Sequence, residues 1–320
     1  MVEQLLVLNK DEDSISVVNP NSGETEEKVQ TAPNPHEITI APNGEKAYVT
    51  CSLSNKMHVI DTQSFEFLST MEHPDFVFPH GLAMTSDGEK LYMASTYSEK
   101  LFVIDPSTDS IEKVLDTHQG KSHMISLSPD EQTAYIANIG SGNISVVDVT
   151  NDEIVTHFPV GGGPEGISAH PNGQHLYVAN QDDNNLYVID VDSYEVVYER
   201  DLGTLPVRLV FSPDGKYALI PNRLSGDLSI VDTKHERKID SDLGVRGNVR
   251  IESGSSRPWE VKRIRVGKWP GGVVFNNDGS RAYVANNKTN DVSVVDMSTL
   301  DEVDRFPVGV HPDGIAYLNH

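Results

Sequence analysis

A segment of the form (V/I)(V/I)D recurs along this chain with its aspartate at Asp61, Asp105, Asp148, Asp190, Asp232 and Asp296. A period of 42 to 44 residues, broken once by an interval of 64, restricts the chain to a repeat-built architecture. Upstream of these segments lie apolar runs reading AYVT at Ala47 to Thr50, LYMA at Leu91 to Ala94, AYIA at Ala134 to Ala137, LYVA at Leu176 to Ala179 and AYVA at Ala282 to Ala285. The blade around Leu219 departs from them, reading ALIPN. Turns such as APNG, TSDG, HPNG and SPDG precede them, and their Asn, Asp and Gly tolerate the positive φ of a tight hairpin. Each unit therefore reads as strand a, tight turn, strand b, polar loop, strand c, turn, strand d. Four antiparallel strands in about 43 residues is the period of a β-propeller blade.

The ends fix the blade count. LLVLN near the start matches strand b, whereas DGIAYL at Asp313 to Leu318 is a strand a with no partner after it. The C-terminal strand is expected to complete the N-terminal blade, closing a ring of seven and removing the open sheet edge. The expectation is one all-β domain over residues 1–320, with a mobile loop insertion at 235–257 accounting for the long interval. These motifs resemble the YVTN β-propeller family, which also covers surface-layer repeats, lactonase-like propellers and several redox propellers. The resemblance spans essentially the whole chain. It implies a fold strongly and an activity weakly, since one scaffold hosts many functions.

Strand a lines the central channel of a propeller, so equal positions at its start form a ring of side chains at one mouth. Eight positions before the turn glycine or its equivalent stand His36, His80, His123, Glu165, Val207 and Gly271, with Asp313 at the matching place in the last strand. Six of these seven follow proline, which biases the preceding backbone toward an extended start. Three histidines and a glutamate in four consecutive blades suggest a mononuclear divalent transition-metal site on His36, His80, His123 and Glu165. Imidazole with carboxylate suits Zn, Cu, Fe or Ni. Channel-water histidines, or anion and substrate binding without metal, remain open alternatives for the same ring. His311, two residues before Asp313, is a candidate to bond a ligand from behind or to serve as an alternative ligand. His58, His157, His170 and His175 are expected to serve packing or the surface.

Glu165 as ligand or general base, with Arg208, Arg223 and Asp313, makes up the candidate catalytic set. Arg223, Lys10 and Arg208 are candidates to hold a substrate carboxylate, although Arg208 is expected to turn sideways from the ring. Phe78, Tyr97 and Trp269 fall in mouth loops, where aromatic walls would shape a pocket. Cys51, the one cysteine, excludes an internal disulfide and is expected to be a small packed thiol.

A metal-dependent hydrolase or lyase acting on a small, anionic organic acid or lactone is the leading reading. A redox-active iron or copper propeller, an oxidase or oxygenase, is the second, and a non-enzymatic interaction scaffold the third. The resemblance to lactonase-like and lyase propellers supports the first, the resemblance to redox propellers the second. Formal charge of -23, from 48 acidic against 25 basic residues, repels a phosphate backbone and argues against nucleic acid as a partner. No apolar run is long enough to span a bilayer and no export signal follows Met1, so a soluble cytoplasmic monomer is expected. Sequons at Asn143 and Asn287 carry little weight without such a signal. No GxSxG elbow, phosphate loop or dinucleotide fingerprint is present, which disfavours serine-hydrolase, kinase and nicotinamide chemistry.

Overall fold

A computed structural model describes residues 3–233 and 261–319. The expected insertion at 235–257 lies outside the described residues. Seven four-stranded antiparallel sheets form the blades of a β-propeller. Blade 1 is built from strand b (Glu3–Asn9), strand c (Ser14–Val18) and strand d (Thr25–Gln30), completed by the C-terminal Pro312–Asn319 as strand a. That closure pairs Leu6 with Ala316 and Val7 with Ile315, so the ring is stitched by the two ends of the chain. Blades 2 to 7 begin with strands a at Pro35–Ile40, Pro79–Met84, Ser122–Leu127, Pro164–Ala169, Val210–Phe211 and Pro270–Phe275. No helix of the described residues is long and apolar enough to cross a membrane.

Strands b and c are buried on both faces, which is why their sequences are almost continuously apolar rather than alternating. Seven apolar clusters form among the described residues, and each joins two neighbouring blades. The cluster of Leu5, Val7 and Val18 with Tyr283, Val292 and Phe306 seals blade 1 against blade 7. Burying such residues contributes roughly 1.5–3 kcal/mol per large side chain.

The tyrosine of the repeat has a second task. Tyr48 in strand b of blade 2 donates its hydroxyl to Asp109 at 2.7 Å, in the c–d turn of blade 3, and Lys46 bonds the same carboxylate at 3.0 Å. Tyr92 and Lys90 repeat the arrangement on Asp152 of blade 4, at 2.5 and 2.8 Å. The motif thus contributes an apolar ring to one interface and a polar latch to the next blade.

A candidate active site at the channel mouth

Each blade enters its strand a through one residue of left-handed backbone conformation. Asn34, Phe78, Lys121, Gly163, Leu205, Trp269 and His311 all have φ between 54° and 63° and stand two positions before the ring residue. A bulge follows in most blades: Pro35 pairs Cys51 and Glu37 pairs Thr50, leaving His36 unpaired, and the same break isolates His123 and Glu165. Bulges re-aim side chains, and here they turn the ring residues inward at the mouth. The expected ring positions are buried: His36, His80, His123, Glu165 and Asp313 are each at most 9% exposed.

The next residue of each strand sets a second layer. Its seven members are Glu37, Gly81, Met124, Gly166, Arg208, Gly272 and Gly314. A Cβ at Gly81, Gly166, Gly272 or Gly314 would lie 2.1–2.5 Å from a backbone oxygen of the neighbouring strand a. Glycine in these blades lets adjacent strands approach, and the narrow axis is filled from three other blades by Glu37, Met124 and Arg208.

Arg208 is the centre of the site, and the expectation that it turns sideways is corrected by its position. Its own φ of 54° swings it inward past Val207, where it is 5% exposed. Its backbone N–H donates to Glu165 Oε2 at 2.6 Å and its guanidinium to Glu165 Oε1 at 2.9 Å and Asp313 Oδ1 at 3.3 Å. A further guanidinium bond goes to Glu37. Burial opposes its charge, but Glu37, Glu165 and Asp313 hold it firmly protonated.

Asp313 gathers the other cations. Arg223 reaches it at 3.0 and 3.2 Å across Gly271, which supplies no side chain to block the path, and Lys10 bonds it at 3.2 Å. Burial alone would raise its carboxyl, but Arg223, Lys10 and Arg208 hold it well below the usual carboxylate range. Three cations therefore face three carboxyl groups at the mouth, which supplies the partners that buried charges require.

The histidines form an aromatic stack beside this network. His80 lies face to face with His123, centroids 3.6 Å apart, and His36 is 4.4 Å from His80. Phe78 stacks behind His80 at 6.0 Å, and Tyr97 packs on Phe78 at 5.3 Å, so two of the three expected aromatics belong to this wall, while Trp269 lies apart from it between blades 6 and 7. Thr96 bonds His123 Nδ1 at 3.0 Å and Asn34 lies 3.3 Å from His36 Nδ1, while His80 Nδ1 is buried without a partner among the described residues. Burial pushes all three imidazoles well below their ordinary value, which keeps them neutral near pH 7.

Three imidazoles on one ion would place their nitrogens about 2.0–2.1 Å from a common point. Parallel rings such as His80 and His123 direct their lone pairs side by side instead. Both oxygens of Glu165 are engaged by Arg208, and His36 Nε2 faces Lys10 Nζ at 3.3 Å. Among the described residues no group of three or more His, Cys, Asp or Glu side chains is arranged to hold a metal ion. The side chains as they stand do not fit the expected three-histidine, one-glutamate centre.

Glu37 was not singled out by the ring spacing, which stops at His36. It lies 3.9 Å from His80 Nε2 and touches Arg208. Burial raises its carboxyl to about 7, against the downward pull of Arg208. Below it opens a channel cavity of about 320 Å³, whose walls include Met124, Val273, Ile315 and Tyr317. Glu37 and Arg208 are the charged groups common to the mouth network and this cavity.

The remaining expected residues are placed as follows. His311 bonds Asp11 at 2.5 Å, outside the ring. His58 accepts from the Ala32 N–H at 3.0 Å and His157 contacts Ser145 at 2.9 Å. His170 packs edge-on against Phe211 on the opposite face. Cys51 is fully buried in the apolar cluster between blades 1 and 2, where burial pushes its thiol up to about 12.

A closed seven-bladed ring with a charged and aromatic mouth over an apolar-walled channel defines a propeller with a built internal site. Its sequence matches the family described as Lactonase, 7-bladed beta-propeller, over residues 3–197, and the chain belongs to that family. No curated protein matches it. Among solved structures, it is similar to a functionally unknown protein from Desulfotomaculum acetoxidans DSM 771, 13% identical over 99% of both chains with a TM-score of 0.80. A "putative 6-phosphogluconolactonase" from Bacteroides fragilis NCTC 9343 is 16% identical over 99% of this chain and 98% of that one, TM-score 0.76. Kuenenia stuttgartiensis hydrazine synthase is 21% identical over 89% and 90%, TM-score 0.73. At these identities the structural likenesses establish the fold alone.

Proposed function

We propose that this chain is a hydrolase that opens a small lactone in the channel cavity, with Glu37 as the proton-transfer group. One observation carries the reading: a carboxyl raised to about 7 touches Arg208 at the head of an apolar-walled cavity of about 320 Å³. A group that titrates near the working pH is suited to take and return a proton within one turnover. In the ionised form Glu37 takes a proton from water as the water oxygen bonds the lactone carbonyl carbon. Negative charge then develops on the carbonyl oxygen, and Arg208 is the fixed positive charge nearest Glu37. Collapse re-forms the carbonyl and breaks the ring C–O bond, and the departing oxygen receives the proton from Glu37. The product is the open hydroxy acid. Glu165 and Asp313 are positioning residues in this scheme, since they hold Arg208 rather than face the cavity.

The test is the pH–rate profile for hydrolysis of a panel of five- and six-membered lactones. Wild-type protein is expected to show an ascending limb with an apparent pKa near 7, and Glu37→Gln to lose that limb and about 10²-fold or more in rate. Equal rates for both proteins would overturn the assignment, as would a panel left untouched by the wild type.

A metal-dependent hydrolase is the second reading. It is favoured by the neutrality of three imidazoles from adjacent blades, the form in which histidine ligates metals. It requires His80 and His123 to leave their stack and Glu165 to leave Arg208. Elemental analysis decides it: one equivalent of Zn, Fe, Cu or Ni, lost in His36→Ala, His80→Ala and His123→Ala, supports a metal centre. No metal after reconstitution removes it.

A further inference from the structure

On the mouth face, between blades 6 and 7, a second pocket of about 450 Å³ is lined by Arg223, Leu224, Arg265, Lys268, Trp269 and Lys288 among others, and by no acidic residue. This is unexpected in a chain with a net charge of -23, where surface cations have carboxylates at hand. Lys10, Lys46, Lys90, Lys100, Arg263 and Arg305 all take such partners. Arg265, Lys268 and Lys288 form no ion pair with a carboxylate among the described residues.

The pocket is held in shape from both sides. The Arg265 guanidinium donates to Ser225 O at 2.7 Å. The Lys288 backbone N–H donates to Lys268 O at 3.0 Å, pinning the loop of Trp269 to the following b–c loop. A Cβ at Gly267 would lie 2.4 Å from both Asn286 Cγ and Thr289 Oγ1, so glycine there permits the close approach of the two loops. Trp269 is held at φ 59° by the same left-handed turn that precedes every ring residue. Apolar surface is present beside the charge: Leu224 is 57% exposed. Arg223 joins this pocket to the mouth, since one of its nitrogens holds Asp313 while its buried Nε has no partner among the described residues.

From cations without a carboxylate partner among the described residues, grouped around an exposed leucine and a tryptophan, we infer that this pocket is a binding site for a small organic anion. Its carboxylate or sulfonate lies against Arg265, Lys268 and Lys288, and its flat or apolar body against Trp269 and Leu224. Arg265 keeps Ser225 O and Lys288 lies 3.5 Å from His311 Nε2, but with no carboxylate partner among the described residues these cations give up no ion pair there on binding, and an aromatic wall beside them selects amphipathic anions over inorganic ones. The site is independent of hydrolysis at Glu37, because its evidence and its readout concern binding alone.

Isothermal titration with 2-naphthoate, at fixed ionic strength, tests it against the uncharged 2-naphthamide and against inorganic phosphate. One 2-naphthoate per chain is expected, weakened about ten-fold or more in the double variant Arg265→Gln/Lys268→Gln. Trp269→Ala should weaken it as well, with phosphate and the amide binding less tightly than 2-naphthoate to the wild type. The substituted cations are exposed, so thermal unfolding of the double variant should match wild type and separates lost binding from lost folding. Equal affinity in the double variant, phosphate binding as tightly as 2-naphthoate, or no binding of 2-naphthoate at all would overturn the proposal.

Discussion

Asp313 shows how much of this molecule rests on single side chains. Arg208, Arg223 and Lys10 all direct charge at its carboxylate, and the side chain is 1% exposed. Replacing it with alanine leaves Arg208 short of one counter-charge and strips Arg223 and Lys10 of theirs, in a space that water reaches poorly. Breaking a buried ion network from one side costs about 3–5 kcal/mol, whereas an exposed pair is worth well under 1. Asp313→Ala is therefore expected to lower the urea midpoint strongly, and Lys28→Ala, which removes the half-exposed Lys28–Glu12 pair, to leave it nearly unchanged. Equal shifts would show that the mouth network does not hold the ring closed. The ring of His36, His80, His123, Glu165 and Asp313 was legible in the sequence because symmetry converts a constant spacing into a common position. Glu37 and Arg208 were harder to read. Their approach to the axis depends on a bulge and on the positive φ of Arg208, which are backbone properties without a periodic signature. A signal existed nonetheless: four blades carry glycine after the ring residue, and Glu37, Met124 and Arg208 are the exceptions. How the imidazoles face one another is set by packing across blades, so no spacing could tell a stack from a convergent ligand set.

Between blades, the latch explains why the tyrosine of the AYVT and LYMA runs is a tyrosine rather than a phenylalanine. The ring of Tyr48 is fully buried in the cluster between blades 2 and 3, and its hydroxyl finds Asp109 and Pro106 O in the next blade. Burial, together with Asp109, pushes the hydroxyl further up from its ordinary pKa, so it acts as a donor at every physiological pH. Tyr48→Phe keeps the apolar contact and removes the donor, at an expected cost of about 1–2 kcal/mol. Asp109→Ala should cost a similar amount, since it leaves Tyr48 and Lys46 with the Pro106 carbonyl as their shared acceptor. The double variant should cost clearly less than the sum, because the two groups share one interaction. Full additivity in urea denaturation would show that the aspartate stabilises its own turn instead of the neighbouring blade. Strand pairing, by contrast, follows directly from the sequence. Turn glycines and alternating loops set the register, and the unpaired first and last strands leave ring closure as the only way to satisfy both edges.

Across the whole molecule the mouth makes stability depend on pH in a direction opposite to its most obvious acidic group. The Glu37 carboxyl is raised by burial from an ordinary 4.5 to about 7, so the native state keeps a proton that the unfolded chain has lost. Between those values its contribution falls as pH rises. His36, His80 and His123 behave the other way. Burial lowers each well below the ordinary 6.5, so below that pH the unfolded chain takes up protons that the native ring refuses. Their contribution is complete above 6.5 and is lost as pH falls from there toward their native values. Each such group changes stability by at most about 1.4 kcal/mol per pH unit. Three histidines against one carboxyl leave a net loss on acidification that begins near 6.5, where Asp313, depressed below its ordinary 3.8, is not yet involved. Urea midpoints between pH 7.5 and 5 should therefore fall for wild type and fall more steeply for Glu37→Gln, which removes the opposing group. The triple variant His36→Gln/His80→Gln/His123→Gln should lose most of the acid-side decline, with His58 and His157, which burial also lowers, carrying what remains. A wild-type curve that is flat through pH 6 would mean that the imidazoles take up protons as readily in the folded ring as in the unfolded chain.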